Sequence, residues 1–106
     1  ETSRAQKWLA HRVPNLSIPF YLSLSLQGLM TNGDYSEEIE SGIQRLLEYQ
    51  QRDGSWETYP ILRIPHPSNT KPWIDSNRWR EDLRDQNRIF TTATCLKTLV
   101  DYKKRQ

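Results

Sequence analysis

The chain reads as an all-α protein, and three features carry that reading. Apolar residues recur at helical spacing over four separate stretches of its 106 residues. Capping, turn or helix-breaking residues stand between those stretches, among them Pro14, Asn32-Gly33 and Asp53-Gly54. The one strand-like alternation, Leu22, Leu24 and Leu26 among serines, also fits a helix and is better explained by one.

The first helix is expected over about residues 2–12, where Ala5, Trp8, Leu9 and Val13 mark an apolar stripe and Ser3 is a candidate cap. Pro14 ends it, because the residue before a proline resists the α conformation. The second is expected over 18–31. Pro19 suits a first helical turn and Thr31-Asn32-Gly33 a helix exit. Leu22, Leu26, Leu29 and Met30 make one stripe, with Phe20 and Leu24 on another face. That pattern predicts a helix buried on two sides, with small serines admitting close neighbours.

The third helix, 36–51, carries Ile39, Ile43, Leu46 and Leu47 as its apolar stripe. Asp34 or Ser36 is the expected cap, and Glu37, Glu38 and Glu40 sit near the positive end of its dipole. Gly42 in its interior costs about 1 kcal/mol relative to alanine, which predicts a close helix contact there. The fourth helix spans about 89–104, marked by Ile89, Phe90, Ala93, Leu96, Leu99, Val100 and Tyr102. Lys103, Lys104 and Arg105 suit its negative end. Between the last two helices, residues 52–87 form a long insert broken by Pro60, Pro65, Pro67 and Pro72, with one or two helical turns expected at Trp79–Arg84.

Composition sets bounds. The length allows one domain with a modest core. Yet only 35% of residues are hydrophobic and the mean hydropathy is −0.86. Such a chain either has a small core or is a piece whose apolar face meets other parts, and an opening Glu1 in place of Met favours the piece. A net charge of +2 with mixed signs makes no demand for nucleic acid. No stretch approaches the roughly 20 apolar residues of a membrane span. The single cysteine, Cys95, forms no internal disulfide and is expected to be buried and inert.

The most specific signal is the run from Leu46 to Trp56, which ends Gln50-Gln51-Arg52-Asp53-Gly54-Ser55-Trp56. Asp53-Gly54 signals a tight turn, since glycine reaches positive φ without steric cost. Gln50 and Trp56 are placed to fold back on each other and clamp a helix end whose carbonyls lack partners. Together with the start of a following repeat at Ile89–Leu99, this run resembles the prenyltransferase/squalene-oxidase repeat and its QW motif. Gln50 looks like the motif glutamine, Gly54 its turn glycine and Trp56 its tryptophan. Asp53 completes the turn.

That resemblance implies antiparallel hairpins forming an arc of an α/α barrel, or toroid, around a lipid-filled cavity. It implies a C-terminal part of a squalene-cyclase-like terpenoid cyclase, cytoplasmic or peripheral to a membrane. The partners implied are the remainder of the barrel or further copies, and a lipophilic polyprenyl substrate. Tyr59, Trp73, Trp79 and Phe90 are the candidates for lining the cavity, or else for pinning the insert to the helices.

The chemistry of the family is only partly present. Class II cyclases use an Asp-x-Asp-Asp acid, which this sequence lacks. The nearest cluster, Glu81-Asp82 with Asp85, is interleaved with Arg80, Arg84 and Arg88 and reads as a solvated turn. His11 and His66 stand far apart, without the local pairing of a zinc site. No catalytic residue, metal or cofactor is therefore expected. The alternative is a non-catalytic lipid-binding or interaction module built on the same repeat.

Overall fold

A computed structural model describes residues 2–31, 34–59, 64–65, 79–80 and 88–106. Four helices dominate: α1 (Thr2–Arg12), α2 (Pro19–Leu29), α3 (Ser36–Tyr49) and α4 (Ile89–Arg105). The chain is all-α in character, with boundaries within a few residues of those expected. A two-residue antiparallel pair, β1 (Ile64–Pro65) with β2 (Trp79–Arg80), sits in the insert. Trp79 and Arg80 are thus extended where a helical turn was expected, and Arg84 lies outside the described residues.

The helix ends depart from expectation in small ways. Pro14 does not stop the chain's coiling but sits in a 3₁₀ turn over Val13–Asn15 that follows directly on α1. Proline tolerates such a first turn, because its missing N–H has no partner there anyway. Ser3 lies inside α1, which already starts at Thr2. The cap position of α3 is Tyr35, with no side-chain capping bond, so neither Asp34 nor Ser36 serves. Pro19 opens α2 as expected.

α2 is the hub, packing on α1, α3 and most extensively on α4. Its Leu22, Leu26 and Leu29 are fully buried with Ile39, Ile43 and Leu46 of α3. Gly42 has the close contact its position predicts: a Cβ there would stand 2.5 Å from Leu26 Cδ2. Gly28 does the same for α1, where a Cβ would meet Leu9 Cδ1 at 2.7 Å. Arg45 fastens α3 to the 3₁₀ turn by donating to the carbonyls of Val13 and Pro14.

The direction of α4 follows from its contacts. Cys95 lies against the Pro19 carbonyl, Thr98 against Ser23, and Arg105 donates to Met30 O. Residue numbers rise together, so α4 runs parallel to α2. The N-terminal part of α3 meets the C-terminal part of α4 around Ser36, Ile39, Glu40, Tyr102 and Arg105, so these two run antiparallel.

The face α4 buries is the surprise. Thr91, Cys95 and Thr98 are buried, while Ile89, Phe90, Ala93, Leu96 and Val100 of the expected stripe are exposed. Hydroxyls explain how the polar face goes inward. Ser23 Oγ donates to Thr94 O at 3.0 Å, and Gln27 Nε2 donates to Thr98 Oγ1 at 2.8 Å. Thr98 Oγ1 also reaches its own helix at Thr94 O. Every polar group in this seam has a partner, which removes the desolvation cost of burying it. Similar departures occur elsewhere: Ala5 and Trp8 face solvent while Gln6 is buried, bonded to Gly28 O and Thr31 Oγ1. Leu47 of the α3 stripe is also exposed.

Candidate functional site

Two features sit where α3 passes the chain to α4. The first is the joint itself. Gly54, at φ +93°, turns the chain in a conformation that L side chains rarely adopt. Gly54 N donates to Gln51 O at 2.9 Å, and Gln51 N to Ser55 O at 2.8 Å. Asp53 accepts from both the backbone N–H and the hydroxyl of Ser55, at 3.0 and 2.7 Å. Those bonds from Ser55 hold the Asp53 carboxyl below its ordinary range.

The clamp expected of Gln50 and Trp56 is present. Gln50 Nε2 donates to Gly54 O at 2.9 Å, and Gln50 pairs with Trp56 through an isolated antiparallel bridge. The Trp56 indole is 1% exposed, and its Nε1 donates to Leu46 O at 2.7 Å, taking up a carbonyl in the last turn of α3. Trp56 N then donates to Thr92 Oγ1 in the first turn of α4, at 3.2 Å. Thr58 adds a buried hydroxyl contact to Thr91. Arg88, left-handed at φ 59°, donates to Ser55 Oγ and faces Glu57 at 3.7 Å. The run 50–56 is therefore a hydrogen-bonded tie between consecutive helices.

The second feature is an aromatic patch. Phe90 of α4 packs against Phe20 of α2 with ring centroids 5.5 Å apart, and Phe20 meets Tyr21 edge-on at 6.1 Å. On α2 these residues and Leu24 lie more than 100° round the axis from Leu26, which faces α3. Tyr21, Leu24 and Phe90 are all exposed. The patch thus crosses both parallel helices on the side turned away from α3.

Of the four expected lining residues, Phe90 is in this patch, and Tyr59 is exposed on the chain leaving the joint. Trp73 lies outside the described residues, as does the side chain of Trp79. Phe20 and Tyr21 complete the patch without having been singled out. Their signal was available, since Phe20 falls off the leucine stripe of α2. Cys95 is fully buried, and burial pushes its thiol up to about 12, so it carries no thiolate at neutral pH. No group of three His, Cys, Asp or Glu among the described residues is placed to hold a metal ion. Nor is any helix among them long and apolar enough to cross a membrane.

Comparison with known proteins leaves the site to be read from its own geometry: no family model and no curated protein matches this chain.

Proposed function

We propose that the chain is a C-terminal part of a squalene-cyclase-like terpenoid cyclase, supplying barrel wall and cavity lining without the catalytic acid. The observation that carries this reading is the joint from Gln50 to Trp56. It ties an outer helix, α3, to the next inner helix, α4, which runs parallel to the preceding inner helix, α2. Parallel inner helices backed by an antiparallel outer one are the unit from which an α/α toroid is built. The aromatic patch then has a place, on the inner surface.

Its chemistry suits a polyprenyl chain. Phe20, Tyr21, Leu24 and Phe90 offer apolar surface, and the ring faces stabilise developing cations by about 2 kcal/mol each when water is excluded. The protonation step belongs to an acid outside this chain. Two measurements test the reading. The longer protein incubated with squalene should give a cyclised product by mass spectrometry, and the present chain alone should give none. The chain alone should nevertheless bind a fluorescent polyprenyl analogue, and Phe90→Ala should weaken that binding. Polyprenyl binding with no cyclised product from the longer protein would favour the lipid-binding module; activity of this chain alone would refute the missing acid.

A further inference from the structure

Charge on this chain is segregated by helix. α1 carries Arg4, Lys7, His11 and Arg12 and no acid. α3 carries Glu37, Glu38, Glu40 and Glu48 against a single cation, Arg45, which is turned onto the carbonyls of the 3₁₀ turn. Among the described residues, the ion pairs Arg88–Glu57 and Lys97–Asp101 involve neither helix.

Each charged face also holds a large apolar side chain in solvent. Trp8, 55% exposed with one ring face stacked under Arg12 at 3.6 Å and the other open, shares one face of α1 with Arg4, Lys7 and His11, at i, i+3, i+4 and i+7 spacing. On α3, Glu40, Gln44 and Leu47 fall within about 60° of one another, on the edge that meets α4. On α4, Leu96 and Val100 form a bare aliphatic strip one helical turn apart. One face is therefore cationic with an indole at its centre. The other is acidic along α3, with Leu47 bare at its edge.

We infer that this second edge, between α3 and α4, binds α1 of another copy of the chain. Trp8 seats on Leu47, while Arg4 and Lys7 approach Glu40 and Glu48. Lys103, Lys104 and Arg105 at the end of α4 repel a cationic helix, and Arg105 lines the same hollow as Glu40, so α1 approaches along α3 on its Glu48 side. The contact joins two different surfaces, so each copy retains one free face, and copies add head to tail until a ring closes or a filament grows. Neither the polyprenyl chemistry nor the missing acid enters into this, so lipid binding and association can fail independently.

Sedimentation equilibrium tests it through a charge swap with rescue. The wild-type chain should associate with rising concentration, and at least about tenfold more weakly in 0.5 M than in about 0.05 M salt. Glu40→Lys with Glu48→Lys should be monomeric, and so should Arg4→Glu with Lys7→Glu. Mixed, the two variants should recover association in strict alternation, through the reversed charges at one contact and the original charges at the next. Should the first pair lose its helical circular dichroism, Glu37→Lys with Glu48→Lys makes the same swap. A wild-type chain that is monomeric throughout, or a mixture that does not associate, overturns the inference. So does association that survives both swaps or is unaffected by Trp8→Ala, which would assign it to the bare aliphatic strip alone.

Discussion

α3 and α4 both carry apolar stripes, but α3 buries most of its stripe and α4 only the Leu99 and Tyr102 end of its own. α3 buries Ile39, Ile43 and Leu46 against the leucines of α2. α4 turns Ile89, Leu96 and Val100 to solvent and buries threonines instead. The difference lies in what each helix meets. α3 faces the Leu22–Leu26–Leu29 stripe, where only apolar groups avoid a desolvation cost. α4 meets the other side of α2, where Ser23 and Gln27 offer hydrogen bonds that hydroxyls satisfy. An amphipathic pattern thus identifies two faces of a helix, and the neighbour decides which of them is interior.

The largest expected effect tests the joint that links the two helices. Trp56→Ala removes a buried indole and leaves Leu46 O without its donor, so chemical denaturation should register a loss of about 3–5 kcal/mol. Next comes a direct contrast between the stripes. Leu46→Ala should cost about 2–5 kcal/mol by the same measurement, whereas Leu96→Ala should stay within about 0.5 kcal/mol, since Leu96 is 56% exposed. A comparable loss at both positions would mean that α4 packs by its apolar face. Gly42→Ala should destabilise by about 1–3 kcal/mol despite alanine's better helix propensity, because Leu26 is fully buried and has little room to retreat.

Thr98→Val probes the seam itself. It keeps the shape and removes the hydroxyl paired with Ser23 and Gln27, for a loss of about 1–2 kcal/mol in thermal or urea unfolding. The smallest effect belongs to Asp53. Its carboxyl is held below the ordinary value of 3.8, so its contribution is complete above that pH and fades as acid protonates the folded form below it. Asp53→Asn should therefore leave stability unchanged less closely at neutral pH than in strong acid, where wild type and variant should converge.

The joint was the part of the site most legible in the sequence. Its bonds span few residues, so Gln50, Asp53, Gly54 and Trp56 nearly define them by spacing alone. Of the aromatic patch, Phe90 was legible as a lining residue and Phe20 only as a residue off the leucine stripe. Phe20 and Phe90 are 70 residues apart, and nothing local says that α2 and α4 lie side by side in parallel. Tyr59 is a large apolar body in an irregular stretch, where no periodicity says which way a side chain points. Exposure of Trp8 and Leu47 was likewise missed, because each sits at a position where the periodicity alone favours burial.

The sequence by itself determined the four helices, the turn at Asp53-Gly54, the clamp on the end of α3 and the close contact at Gly42. These rest on backbone sterics, helical period and bonds within one or two turns, which a short stretch specifies without help. Only the tertiary structure decided that α4 runs beside α2 and presents its threonines to it, leaving Leu96 and Val100 bare. That choice is made by contacts between distant segments, where satisfying Ser23 and Gln27 outweighs covering an aliphatic stripe.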